Sequence, residues 1–317
     1  MIEWNDKTIT VVCGGTSTER EVSLRSGRAV YDALRTAGHT NVTLFDLTED
    51  NISELLSSGT DIVFLALHGK GGEDGCIQGA LELCGIPYTG PGVASSAVCM
   101  DKILTKQVLV SASIPTAKFV TKRQDECEDM LAVTDELIRE LGLPMVLKSP
   151  CQGSSIGVVI VKSAEDMPAA MAEIFQYGDR LLAEEFLDGT EITVPILGND
   201  VLTVLPDIEI TSEREFYDYR AKYTSGLCHH IIPSRISEAE RTVATDISRQ
   251  AYRVLNCCGL SRVDLIVDKV RGPMVIEVNT LPGMTEMSLF PDAGRAAGMS
   301  FEALVLRILE LGYTTRR

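Results

Sequence analysis

SRVDLIVDKVRGPMVIEVNTLPGM, residues 261–284, is the most informative stretch of this 317-residue chain. Two apolar runs rich in β-branched residues flank Val270-Arg271-Gly272-Pro273, the pattern of a β-hairpin. A turn centred between Val270 and Arg271 sets Asp264 opposite Glu277 and Arg262 opposite Asn279. Side chains alternate across a strand, so these four share one face while Val263, Leu265, Ile276 and Val278 take the other. Two carboxylates placed directly opposite each other repel, so the pattern predicts something cationic between them. Asp264, Glu277 and the amide oxygen of Asn279 form a hard, all-oxygen set suited to Mg2+. That ion keeps few protein ligands and fills its shell with water and substrate phosphates. The plain alternative is a solvated polar face on which Arg262 pairs with Asp264. A register slip of one residue would send the whole set to the opposite face.

A metal with phosphates needs lysines and a glycine-rich loop. Lys148 ends the apolar run from Pro144, and Gln152-Gly153-Ser154-Ser155-Ile156-Gly157 follows. Such a loop can fold its N–H groups over phosphate oxygens. No Gly-Lys-Ser/Thr follows the glycines, so it is not a P-loop, and a polar hairpin turn has the same composition. The flanking runs Pro144–Lys148 and Ser155–Lys162 read as an antiparallel pair. Lys102 and Lys222 are solvated lysines by default. Glu184-Glu185-Phe186-Leu187 closes a strand and can offer backbone groups to a purine, with Glu191 for ribose hydroxyls.

Further out, the first hundred residues alternate between strand and helix. Thr8–Cys13 is a β-branched run ending in Gly14-Gly15. Ala29, Val30, Ala33, Leu34 and Ala37 then recur at helical spacing until Gly38. Val42–Phe45 and Asp61–Leu67 are two further strands, the latter nearly all apolar, as in a doubly covered parallel sheet. This alternation predicts an open α/β sheet, and ligands to such sheets gather at the carboxyl ends of the strands. Those ends carry Gly14-Gly15 and His68-Gly69. Later elements are a helix over Asp101–Ser111, another near Ala164–Gln176, and strands at Arg180–Phe186, Glu191–Ile196 and Val201–Ile210. A polar, tyrosine-rich loop over 213–228 and a helix over Ser237–Leu255 precede the hairpin. At about 150 residues per domain the length allows two or three domains. The divisions fall near 95 and 185, giving units 1–95, 96–185 and 186–317.

The hydrophobic fraction of 45% and charged fraction of 23% are those of a globular protein. A net charge of −16 repels phosphate backbones and anionic lipid, arguing against nucleic acid or membrane as a partner. A few lysines in a cleft can still receive a small anion. Nine cysteines, with no Cys-x-x-Cys pair, and four histidines lack the spacing of a zinc site or disulfide framework. Most lie in apolar runs such as Val12-Cys13 and Leu83-Cys84 and read as buried small hydrophobes. No secretory signal is visible, and no apolar stretch approaches the roughly 18 residues of a spanning helix. The expectation is a reduced, cytoplasmic protein.

A series of blocks resembles the D-alanine–D-alanine ligases. Gly14-Gly15-Thr16-Ser17-Thr18-Glu19-Arg20-Glu21-Val22-Ser23 is similar to their opening motif. Leu67-His68-Gly69-Lys70-Gly71-Gly72-Glu73-Asp74-Gly75 and Tyr88-Thr89-Gly90-Pro91-Gly92 match the next two blocks. Met100-Asp101-Lys102, Gly153-Ser154-Ser155, Phe216-Tyr217-Asp218-Tyr219, Ala221-Lys222-Tyr223, Arg262-Val263-Asp264 and Glu277-Val278-Asn279-Thr280 continue in the same order. Pro282-Gly283-Met284-Thr285 and Ser288-Leu289 complete the series.

The resemblance implies an α/β chain with the three-domain ATP-grasp fold. In that fold an N-terminal open parallel sheet precedes two α+β domains that enclose the nucleotide. It implies that ATP phosphorylates the carboxylate of one D-alanine and that the amine of a second attacks the acylphosphate, making D-alanyl-D-alanine for peptidoglycan. Carried over residue by residue, Glu19 would hold the first ammonium, with His68 close to the same substrate. Lys102 and Lys148 would bind ATP phosphates under the Ser154-Ser155 loop, and Lys222 would reach the γ-phosphate. Glu184, Glu185, Phe186 and Leu187 would meet adenine, and Glu191 the ribose. Tyr223 would link Ser154 and Glu19 by hydrogen bonds. Asp264, Glu277 and Asn279 would hold Mg2+, with Mn2+ as a substitute. Arg262 and the Gly283 N–H would stabilise the tetrahedral oxyanion, and Ser288 and Leu289 would receive the second carboxylate. A homodimer is implied by analogy.

Two features depart from the pattern. The family often has Lys-Pro after the phosphate-binding strand, whereas Lys148 is followed by Ser149-Pro150, which shifts the loop entry by one residue. His229-His230 follow the aromatic loop, and variants that make D-alanyl-D-lactate use a histidine in a related loop. Those variants lack the tyrosine that Tyr223 supplies, so the dipeptide is the expected product. A D-lactate or D-serine acceptor, another ATP-grasp carboxylate–amine ligase and a non-enzymatic nucleotide-binding protein are the competing readings.

Overall fold

The structure is a computed structural model that describes residues 2, 4–153, 156–212 and 228–315. The chain begins with β1 (Ile9–Gly14), α1 (Arg20–Thr36), β2 (Val42–Leu47), α2 (Ile52–Leu56) and β3 (Ile62–Leu65). The strands form a parallel sheet in the order β2-β1-β3. Every residue of β1 and β3 is buried, because helices cover both faces, as their unbroken apolar runs require. Helices α3 (Cys76–Leu83), α4 (Val93–Met100) and α5 (Lys102–Ser111) follow. The Asp101 carboxylate accepts the N–H groups of Ile103 and Leu104, satisfying otherwise orphaned donors and fixing where α5, and hence Lys102, begins.

The second sheet is built from β4 (Phe119–Arg123), β5 (Met145–Lys148), β6 (Val158–Val161) and β7 (Arg180–Glu185) in the antiparallel order β4-β7-β5-β6. The predicted pairing of the runs around the glycine-serine loop is thus present, with Lys148 opposite Val158. Helices α6 (Met130–Leu141) and α7 (Met167–Ile174) cover one face, burying Leu137, Met167 and Met171 against Met145, Leu147 and Ala183. Neither β4 nor α6 was expected from periodicity.

The third sheet contains β8 (Gly189–Gly198), β9 (Leu202–Val204), β10 (Ile208–Ser212), β11 (Cys228–Ile231), β12 (Gly259–Asp268) and β13 (Gly272–Asn279). Its order is β11-β10-β8-β12-β13, with β9 on β8. The single strand expected over Val201–Ile210 is broken into two around Pro206, whose missing N–H and fixed φ suit the break. Helix α8 (Glu238–Val254) backs this sheet. Helices α9 (Leu289–Ala296) and α10 (Phe301–Thr314) return to the N-terminal sheet, where Leu304, Val305, Ile308 and Leu309 share a core with Ile9, Val11 and Phe64.

The hairpin register is the one read from the sequence as far as the site is concerned. Arg262 pairs with Asn279, Val263 with Val278 and Asp264 with Glu277. A bulge between Asp264 and Leu265 then shifts the ladder, so Leu265 opposes Val275 and not Ile276. The extra residue breaks the simple alternation, and Ile276 lines the cavity described below.

The expectation for cysteines needs correcting as well. Cys13, Cys99, Cys127 and Cys257 are buried, but Cys76, Cys84 and Cys151 are exposed, and Leu83 is 92% exposed. The end of α3 points into solvent, so an apolar dipeptide there was no sign of burial. No helix among the described residues is long and apolar enough to cross a membrane.

Candidate active site

A cavity of about 1190 Å³ lies where the three sheets meet. Its inner wall is the polar end of the β12–β13 hairpin, which contributes Arg262, Asp264, Glu277 and Asn279. Asp264 is the hub. Arg262 donates to both of its carboxylate oxygens, Nε and Nη2 each at 2.8 Å. Asn279 Nδ2 donates at 2.8 Å and Thr193 Oγ1 at 2.5 Å. The cation demanded by the facing carboxylates is therefore supplied on one side by Arg262. On the other it is Lys102, whose Nζ lies 3.1 Å from Glu277 Oε2. Burial works against the Lys102 ammonium, but Glu277 outweighs it and holds the proton above the usual lysine range. The donor set of two carboxylates and an amide oxygen fits a hard cation bound with phosphates.

Lys102 also donates to the carbonyl of Gln152 at 2.8 Å, tying α5 to the glycine-serine loop. The loop is closed at its base by Ser149 N–H donating to Gly157 O at 2.8 Å. Beside it, Lys148 pairs with Glu184, and Lys106 reaches the same carboxylate at 2.7 Å. Burial raises the Glu184 pKa, yet the two ammoniums overcome that and hold it down to about 2. Burial also presses the Lys106 ammonium downward against the pull of Glu184. Lys106 donates in addition to Thr116 Oγ1 at 2.7 Å, which donates to Val275 O at 2.7 Å, linking the second and third sheets. The side chain of Glu184 is thus engaged by lysines, and its backbone and that of Leu187 face the cavity with Glu185, Phe186 and Glu191. Val146 and Ile160 on one sheet and Ile266 and Ile276 on the other wall the same slot, which suits a flat, weakly polar ligand.

At the far end stand Glu19, His68 and Glu73. The His68 ring is buried, with Nδ1 3.1 Å from Leu281 O and Nε2 3.3 Å from Ser26 Oγ. Leu281 O can only accept, so Nδ1 carries the proton. Ser26, which already accepts from Met284 N–H, donates to Nε2. Burial lowers the His68 pKa against the raising effect of Glu19, which keeps the ring neutral. Glu73 accepts the Gly69 N–H at 2.6 Å, but burial first and the charge of Glu19 second push its pKa up to about 8. Two half-buried carboxylates at one end of the cavity suit an ammonium group, whose charge would relieve their mutual repulsion.

The loop after β13 places Gly283, Ser288 and Leu289 on the outer wall. A Cβ on Gly283 would sit 2.9 Å from Ser288 Oγ, so the close approach of these residues depends on glycine. All the site residues named from the sequence that fall among the described residues line this one cavity. Ser154, Ser155, Lys222 and Tyr223 lie outside the described residues.

Sequence reasoning missed Glu73, Lys106 and Arg180. Arg180 Nη1 holds Asp101 at 2.6 Å and Nη2 approaches Cys151 Sγ at 3.3 Å. Lys106 had a legible signal, since it stands one helical turn after Lys102 and so shares its face.

Family comparisons agree with this geometry. Residues 108–310 match the model "D-ala D-ala ligase C-terminus", and residues 48–91 match "D-ala D-ala ligase N-terminus". The D-alanine–D-alanine ligase of Carboxydothermus hydrogenoformans is 46% identical over 310 residues, covering 98% of this chain and 99% of that protein. The chain belongs to the D-alanine–D-alanine ligase family. The Bacillus anthracis ligase solved as a complex with ATP superposes with a TM-score of 0.82 at 33% identity, covering 96% of each chain. The VanG D-Ala:D-Ser ligase of Enterococcus faecalis superposes at 0.81 with 30% identity, covering 97% of this chain and 99% of that one. The fold is accordingly the three-domain ATP-grasp architecture of these ligases.

Proposed function

We infer that this cavity performs ATP-dependent joining of two D-alanines into D-alanyl-D-alanine, a precursor for cell-wall peptidoglycan. One observation carries the assignment. Asp264 and Glu277 face each other on the wall of a cavity that also holds Lys102 and Lys148. The ammonium receptor formed by Glu19 and Glu73 lies at the other end of that cavity.

In the reaction, a carboxylate oxygen of the first D-alanine attacks the γ-phosphorus and ADP leaves. Glu19 and Glu73 hold that substrate's ammonium, and the neutral His68 lies beside them. Lys102 and Lys148 bind phosphate oxygens, each ammonium having donors to spare beyond its carboxylate partner. Adenine fits the slot between Val146 and Ile266, against Glu185, Phe186 and the backbone of Glu184 and Leu187, with Glu191 on the ribose. Asp264, Glu277 and Asn279 would hold Mg2+, which when bound neutralises phosphate charge. Positioning and charge neutralisation are what phosphoryl transfer chiefly requires.

The amine of the second D-alanine then attacks the acyl carbon, and phosphate departs as the new amide forms. Arg262 and the Gly283 N–H stabilise the oxyanion of the tetrahedral intermediate, a contribution of several kcal/mol on the order seen for such donors. Ser288 and the Leu289 N–H receive the acceptor carboxylate. Lys222, Ser154, Ser155 and Tyr223 retain the roles that the family resemblance gives them.

The divisions near residues 95 and 185 are supported by the strands of the three sheets, which fall in the separate ranges 9–65, 119–185 and 189–279. A cytoplasmic location is supported by eight described cysteines, none of which forms a disulfide. The deciding experiment is phosphate release from ATP with and without D-alanine, repeated with D-serine and D-lactate as acceptors. D-alanine-dependent phosphate release with stoichiometric dipeptide is expected. ATP binding without turnover would overturn the reading.

A further inference from the structure

An ion-paired array borders the acceptor end of the cavity. His230, on β11, brings Nδ1 to 2.5 Å from Asp292 Oδ2 in the first turn of α9. Arg295, one turn further along α9, pairs with the same carboxylate and donates from Nη2 to Glu286 O at 3.2 Å. Glu286 belongs to the loop whose ends are joined at Ser288, where Thr285 N–H donates to Ser288 Oγ at 3.0 Å and the two hydroxyls lie 2.8 Å apart. The Asp292 N–H in turn donates to Ser288 O at 3.2 Å. His230, Asp292, Arg295 and Glu286 all line the cavity that contains Ser288. The side chains of His230 and Asp292 are only 17% and 18% exposed, so their interaction is less screened than a surface pair.

We propose that His230 and Asp292 are positioning residues for the second substrate. Through Arg295 and the Glu286 carbonyl they hold the Thr285–Ser288 loop where Ser288 Oγ and the Leu289 N–H receive the acceptor carboxylate. This rests on the assignment of Ser288 and Leu289 to that carboxylate. The array joins β11 to the helix that begins at Leu289. It therefore fixes the acceptor subsite, while Lys102, Lys148 and Glu184 are fixed by one another and by Glu277.

The test is steady-state kinetics of the full chain, with the D-alanine dependence resolved into donor and acceptor constants, for Asp292→Asn, His230→Gln and the double variant. Each single change should raise the acceptor constant about tenfold, the size of one lost charge-assisted hydrogen bond. The donor and ATP constants should stay within about twofold, and the double variant should add little to either single one. Asp292→Glu should restore most of the acceptor affinity. An unmoved acceptor constant overturns the proposal, as does a parallel shift of all three constants with the unfolding temperature. Ser288→Ala separates the two failures. An unmoved acceptor constant there overturns the carboxylate assignment itself, whereas a raised one beside an unmoved constant in Asp292→Asn overturns the positioning role alone.

Discussion

Glu277 stands directly across the ladder from Asp264, and the Lys102 ammonium lies 3.1 Å from its carboxylate. The lysine and Arg262 occupy the positions in which a facing carboxylate pair must be neutralised, and a divalent cation with phosphates answers the same demand. Glu277→Gln removes one charge with almost no change of shape. Mg2+-dependent turnover is expected to fall by about two orders of magnitude, with the thermal unfolding midpoint nearly unchanged. Turnover equal to the parent would remove Glu277 from the metal set.

Arg262 spends two of its N–H groups on Asp264. Arg262→Lys keeps the charge and loses the fork. Its kcat should drop about 100-fold while the ATP KM changes little, because contact with the oxyanion strengthens in the transition state. A rise in ATP KM alone would reassign the residue to ground-state binding.

Gly153 touches Glu19, since an added Cβ would lie 2.9 Å from Oε2. The clash falls on the end of a flexible side chain, so Gly153→Ala should fold normally and displace the Glu19 carboxylate. The donor D-alanine constant is expected to rise about tenfold with stability retained. Loss of stability in denaturant titration would contradict this.

Glu73 is held by burial at about 8, above its ordinary 4.5. An ammonium beside it favours the carboxylate, so D-alanine binding at pH 7 should release a proton. Calorimetry in buffers of different ionisation enthalpy measures this, and Glu73→Gln should abolish it. The linkage has a definite sign. The folded form binds this proton more tightly than the unfolded one, so the stability it contributes is complete below pH 4.5 and is lost as pH rises to about 8. The Glu73→Gln variant should lack that fall.

Lys106 is fully buried against Glu184. Lys106→Met leaves Glu184 with Lys148 alone and should cost about 3–5 kcal/mol in urea unfolding. Adding Glu184→Gln should deepen that loss, since it strands the buried Lys148 ammonium without a carboxylate. A loss below 1 kcal/mol for the single variant would contradict the account, being the size of a surface pair.

How much of this was readable in advance follows from the range of the forces involved. The β12–β13 pairing is set by alternation and a tight turn, both local, and the Asp264–Glu277 opposition followed from them correctly. The bulge after Asp264 could not be foreseen, because nothing in Leu265 or Ile276 distinguishes a bulged residue from a paired one. His68 and Glu19 were legible through their motifs. Glu73 was passed over because the elevation of its pKa comes first from burial and second from Glu19, both set by parts of the chain remote in sequence. Likewise β4 was missed because Phe119–Arg123 is short and has no buried residue to mark an apolar alternation, and its strand pairing comes from β7, remote in sequence.

The N-terminal sheet is synthesised before α10, which forms part of its covering. Until that helix arrives, the face of β1 and β3 that receives Leu304 and Ile308 stays open. Nascent chains halted before Phe301 should therefore display an unfinished apolar surface that holdase chaperones recognise. Completion of the N-terminal unit must wait for Phe301–Thr314, and a frameshift that removes this helix disables a sheet translated long before it.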